Sequence, residues 1–231
     1  MLTPQLIFSH LLADFVYQTQ WVVKIKHAGW KGLILHGSSF FVLSIIALAA
    51  HLNDFLWFGP PLLILTIEHI LQDRLKIVLT DRFPQHGVLL YFLDQAVHFI
   101  GILVVNALVG HKIDPKPDNV ELLLFMLGGS VLLLSRAWEI TVIANWRSMR
   151  EYTQQWLLWG YAERIVMLIV IAIGGIVLIP VAMACVIPRL VRSYQLGHAI
   201  WKHRPEVIEL GSGVIVSTIL GLGIWNLLQY I

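Results

Sequence analysis

Three segments of this 231-residue chain hold a histidine and an aspartate four residues apart: His10–Asp14, His69–Asp73 and, in reverse order, Asp94–His98. That spacing stacks both side chains on one helix face. Imidazole and carboxylate together do two kinds of chemistry. They hold a divalent cation, zinc first and iron, manganese or nickel after it, or they pass protons along a relay. A lone pair of this kind usually satisfies itself by a hydrogen bond, whereas three of them point to a shared site. The single cysteine, Cys185, rules out an internal disulfide and any thiolate metal site. The candidate ligands are therefore His10, Asp14, His69, Asp73, Asp94 and His98, with His36 joining from the side. Asp14, Asp73, Asp94 and Lys76 are also the candidate catalytic residues. Lys76, one turn past Asp73, is either a phosphate contact or a lysine snorkelling to the interface.

The elements that must position these residues are membrane helices. Hydrophobic residues make up 58% of the chain and charged residues 13%, against about 45–50% and about 25% in soluble domains. So few charges cannot clothe a soluble core, and the formal net charge of +2 is too small to suggest nucleic acid. With about 20 apolar residues per crossing, the chain reads as an all-α polytopic bundle of seven or eight spans. They are expected at 2–23, 32–50, 60–79, 88–109, 120–135, 156–179 and 208–228. The stretch 181–201, interrupted by Pro188, Arg189 and Arg192, is either a further span or an amphipathic surface helix. The first segment has no basic leader and carries His10 and Asp14, so it is expected to stay in place rather than be cleaved.

Reversal of the third motif matches the reversal of its helix. Spans one and three run in one direction and span four in the other, so like residues fall at like depths. Counted from the helix ends at 1.5 Å per residue, the aspartates lie roughly 9–14 Å deep and the histidines roughly 15–20 Å deep. Alternate loops carry Lys24, Lys26 and Lys31, then Arg82, then Arg136, Arg147 and Arg150, then Lys202 and Arg204. The positive-inside rule places these in the cytoplasm, with the site in the cytoplasmic half of the bilayer. Residues 1–110 form the expected four-helix unit with the His/Asp site. Residues 111–231 form the remaining helices, with an interfacial helix near 137–155.

The second half is chemically quieter. Glu163 and Arg164 interrupt an apolar run, and the reading from residues alone is structural pairing with Arg189, Arg192 or Glu209. No Walker, GxSxG or HExxH motif occurs.

The segment His10-Leu-Leu-Ala-Asp14-Phe15 with Gln18, together with His36, His69-x-x-x-Asp73-x-x-Lys76 and Asp94-Gln95-x-x-His98, resembles a bacterial multi-span family catalogued as a domain of unknown function. Gly160-Tyr-Ala-Glu163-Arg164 and Glu209-Leu-Gly211-Ser-Gly-Val-Ile-Val-Ser217 are similar to further segments of that family, although Leu210 and Ser212 depart from its pattern. The resemblance implies a shared functional core in the His/Asp blocks and a role for Glu163, Arg164 and Glu209. The intramembrane His/Asp usage also resembles, in pattern only, bacterial membrane-bound metal-dependent hydrolases. The resulting expectation is a bacterial inner-membrane enzyme that binds membrane lipid and uses a divalent metal to hydrolyse a lipid-like or amphiphilic substrate. The alternatives are a transporter of a metal ion or protons using the same residues, and a non-catalytic membrane subunit.

Overall fold

A peptide group in hydrocarbon must find its hydrogen-bond partner within its own segment, and an apolar run does so by coiling. The computed structural model of this chain describes residues 2–113, 118–137, 150–195, 197, 200 and 204–230. Every regular element among them is helical. The chain divides into two compact units, Met1–Gly129 and Ser130–Ile231.

In the first unit α1 (Thr3–Leu12) opens into a π turn, Ala13–Tyr17. Helices α2 (Gln20–Ala28), α3 (Trp30–Ala47), α4 (Phe55–Arg82), α5 (Gly87–Val109) and α6 (Asn119–Leu132) follow. In the second unit, α7 (Arg150–Gly174) leads through a tight turn to α8 (Ile179–Ala184), α9 (Ile187–Gln195) and α10 (Arg204–Leu228).

Five helical segments are long and apolar enough to cross a membrane: Trp30–Ala47, Ala49–Arg82, Pro84–Val109, Trp159–Gln195 and Glu206–Leu228. Large apolar side chains such as Ile46, Leu56, Ile64, Leu108 and Val177 point outward from them. This is a membrane protein.

Two expected spans are not helices of crossing length. The segment Asn119–Ser135 is apolar but falls below crossing length. The expected first span, 2–23, is not one helix. Gln18 leaves the helical region (φ −74°, ψ 70°) and Thr19 is extended, its hydroxyl accepting from the Val22 amide at 3.4 Å to start α2. Polar Gln18 and Thr19 offer the backbone a cap where the apolar run needed continuity. Among the described residues of 181–201 lie the end of α8 and the nine residues of α9, which alone rise about 13.5 Å and belong to the Trp159–Gln195 segment rather than to a separate crossing. The interfacial helix expected near 137–155 falls largely on residues 138–149, which lie outside the described residues.

Two glycines hold α2 against α3. Gly29 turns the chain at φ 148°, a conformation that side chains disfavour. At Gly32 a Cβ would overlap the Ile25 carbonyl. The inner end of the unit is apolar, with Leu6, Phe40, Phe58, Leu62, Ile102 and Val105 packed together. Toward the α4–α5 turn this core gives way to polar side chains.

Candidate metal centre

Helical periodicity turns seven of these polar residues inward. On α4 the buried positions Thr66, His69, Asp73 and Ile77 recur every three or four residues, one stripe of a helix. On α5 the stripe is Asp94, His98, Ile102 and Val105. His10 comes from α1, Asp14 from the π turn and His36 from α3. All seven are at most 4% exposed. The π turn is a local widening of the helix of the kind that often marks functional sites.

The tightest part surrounds His36. Its Nε2 lies 3.0 Å from Asp14 Oδ1, 3.1 Å from His69 Nε2 and 3.3 Å from Asp73 Oδ2. His69 Nε2 is 3.5 Å from the same Asp14 oxygen and 3.7 Å from the same Asp73 oxygen. An imidazole nitrogen carries at most one proton and so donates to only one neighbour. Protons alone therefore leave lone pairs facing one another among these four atoms. That donor set could hold a divalent cation. Phe40 stacks on the His69 ring at 5.2 Å and 23° between planes, which fixes the ring's orientation.

Around this core the other imidazoles close in. The His69 and His98 ring centres are 4.2 Å apart, His10 and His98 5.1 Å, and His10 and His69 5.4 Å. Histidines from helices one, three and four of the sequence reading thus converge on one place, as do their aspartates. Gln95 bridges two of them: its carbonyl oxygen lies 3.2 Å from His10 Nε2, and its amide nitrogen donates to Asp14 Oδ2 at 3.1 Å.

Two lysines supply countercharge. Lys76 Nζ donates to Asp94 Oδ2 at 2.6 Å and to Asp73 Oδ1 at 3.2 Å. Its side chain is 23% exposed, so it joins the buried cluster to its surroundings. Lys26 Nζ sits 2.7 Å from Asp73 Oδ2 and donates to Gln18 Oε1 at 2.6 Å. Sequence reading counted Lys26 as a loop charge, yet it is 5% exposed. The break at Gln18–Thr19 and the turn at Gly29 fold α2 back so that its lysine enters the cluster. Gln95 belongs to the Asp94-Gln95-x-x-His98 block, whereas Glu68 carried no expectation, although a charged residue in the middle of span three was the signal available. His51, in the turn between α3 and α4, is buried and lies 3.3 Å from Glu121 at the opposite end of the unit.

Residues 1–119 match the family model described as Protein of unknown function (DUF3307). The chain belongs to the DUF3307 family. The matched residues contain α1 through α5 and the whole His/Asp cluster of this DUF3307 protein. No curated protein and no solved structure matches the chain. The Gly160–Arg164 and Glu209–Ser217 segments lie beyond the matched residues.

Those segments build a separate cluster in the second unit. Arg164 donates from Nη1 to Glu209 Oε1 at 2.7 Å and from Nε to the Leu134 carbonyl at 2.9 Å. Arg189 Nη1 donates to Glu209 Oε2 at 3.1 Å, and its Nε lies 3.1 Å from Glu163 Oε2. The expected partners Arg189 and Glu209 are thus found, while Arg192 is exposed. A Cβ at Gly213 would come within 3.1 Å of Arg164 Cδ, so this glycine leaves room for the guanidinium stem. Two arginines against two glutamates neutralise each other, a structural arrangement that ties α7, α9 and α10 together.

Proposed function

We propose that the first unit binds a divalent metal, zinc foremost, and uses it to hydrolyse a lipid-like or amphiphilic substrate in the bacterial inner membrane. One observation carries this reading. The five separations among His36 Nε2, His69 Nε2, Asp14 Oδ1 and Asp73 Oδ2 run from 3.0 to 3.7 Å. A tetrahedral ion with ligand bonds of about 2.0 Å has edges about 1.63 times as long, or about 3.3 Å. The four atoms match that polyhedron in donor type and in five of its six edges.

A bound ion would polarise a substrate oxygen and make water a stronger acid. Asp14 Oδ2, which accepts from the Gln95 amide at 3.1 Å, would take the water proton. Lys76, whose side chain is 23% exposed, meets an anionic headgroup. The groove along α4 formed by Ile64, Ile67, Leu71 and Leu75, with Glu68 and Gln72, takes the apolar part, so the substrate enters sideways from the membrane.

Elemental analysis of the purified full chain in detergent, with a hydrolysis assay on fluorogenic amphiphilic esters and phosphoesters in mixed micelles, tests the reading. Stoichiometric metal and turnover in the wild type, both lost in His36→Ala and His69→Ala, support it. The continuous row of rings from His98 through His69 to His36 favours one second reading, transport of a metal ion or protons. Flux into liposomes without turnover would establish transport in place of hydrolysis. Absence of metal, turnover and flux together would leave a non-catalytic subunit.

A further inference from the structure

Asp73 faces two ways. Its Oδ2 looks toward His36 and His69, while its Oδ1 accepts from Lys76, which also binds Asp94. On that second side stands His98, 2% exposed, with neither ring nitrogen completing a hydrogen bond. Its Nε2 is 3.4 Å from Asp94 Oδ1, itself without a hydrogen-bond partner. Its Nδ1 is 3.9 Å from Glu68 Oε2, and both Glu68 oxygens are likewise buried and unpartnered.

Lone pairs on the two nitrogens of an imidazole diverge, so one ion cannot use both. The carboxylates flank opposite edges of the ring. A small approach of Glu68 to Nδ1 would place a proton on that nitrogen and leave Nε2 free to ligate. Asp73, Asp94 and His98 each offer a ligand atom within 4.8 Å of the others, as do His36, His69 and Asp73. Asp73 is common to both groups. We propose a second divalent-cation site made of His98 Nε2, Asp94 Oδ1 and Asp73, with the Asp73 carboxylate shared between two ions and Glu68 acting as the positioning residue for His98. The inference rests on the metal reading of the first site and extends it to a two-ion centre, in which paired ions sit about 3.5–4 Å apart and stabilise both sides of a displacement.

The test is Mn2+ titration of the full chain in detergent, read by elemental analysis and electron paramagnetic resonance, with circular dichroism and size exclusion to report folding. The wild type should take two Mn2+ per chain with a spin-coupled spectrum. His98→Gln and Asp94→Asn should each retain one ion, as should His36→Gln, and the coupling should vanish in all three. Glu68→Gln keeps every ligand and should still bind two ions, the second with about 10–100-fold weaker affinity. That variant decides the matter if the ligand variants do not fold. One Mn2+ in the wild type that survives His98→Gln but not His36→Gln overturns the second site and leaves the first. Two ions that both survive His98→Gln, or an unchanged affinity in Glu68→Gln, also overturn it. No Mn2+ or Zn2+ bound by the wild type overturns the first site and this one together.

Discussion

Replacing Lys26 with methionine should tighten metal binding. The ammonium lies 2.7 Å from Asp73 Oδ2, the oxygen assigned to the ion. With an ion–oxygen bond of about 2.0 Å, ammonium and ion stand at most about 4.7 Å apart. At an effective dielectric of 20, a single and a double positive charge at that distance repel by about 7 kcal/mol. Relaxation of the lysine stem away from the site relieves much of this. Even a third of it, about 2 kcal/mol, changes the dissociation constant roughly 30-fold. The assay is calorimetric titration of Zn2+ into wild type, Lys26→Met and Lys26→Gln, each first stripped by chelator. Lys26→Met should bind at least about 30-fold more tightly. Lys26→Gln, which keeps a hydrogen-bond donor but no charge, should move the same way. In the metal-free state Lys26→Met should be the less stable protein, because a buried carboxylate loses a partner at a cost of about 3–5 kcal/mol. Equal or weaker Zn2+ affinity in both folded variants would refute the placement of the ion on Asp73 Oδ2.

Three further outcomes are expected. Arg189→Met removes the cation between Glu163 and Glu209 and should cost about 3–5 kcal/mol, visible as a fall in thermal midpoint with metal content unchanged. Gly32→Ala should push α2 away from α3, because the new methyl meets the Ile25 backbone. It should then lower the midpoint and raise Zn2+ affinity in the same sense as Lys26→Met, as measured by the same titration. Gln95→Ala takes a donor from Asp14 Oδ2 and a partner from His10 while sparing the ligating atoms. Turnover in the micelle assay should fall about 10–100-fold, with stoichiometric metal retained.

Much of the site was legible because helix geometry converts spacing into direction. A four-residue interval on α4 and its mirror on α5 fix which faces meet, and the antiparallel run of the two helices brings like groups to like depth. His36 followed from its place on the neighbouring helix. Lys26 was not legible in the same way. Its position depends on where a helix stops, and the polar pair Gln18–Thr19 ended α1 inside a run that average hydropathy reads as continuous. The same break shortened the expected first span. Glu68 sits beside His69 in sequence, and so on a neighbouring face of the helix, which hid its approach to His98 on α5. His51 shows the converse. A loop histidine becomes buried once Glu121 of α6 is brought to it, a contact with 70 residues between its partners that no local pattern encodes.

The pair of ammonium groups has a consequence for how such a protein comes into being. Helices carrying three aspartates into hydrocarbon face a steep insertion penalty, and here that penalty is largely cancelled by Lys26 and Lys76 of the same chain. The bundle can close during synthesis without waiting for any ion. An ion taken up as proposed would enter a cluster whose carboxylates already face two ammonium groups, so one of those groups would have to give way to it.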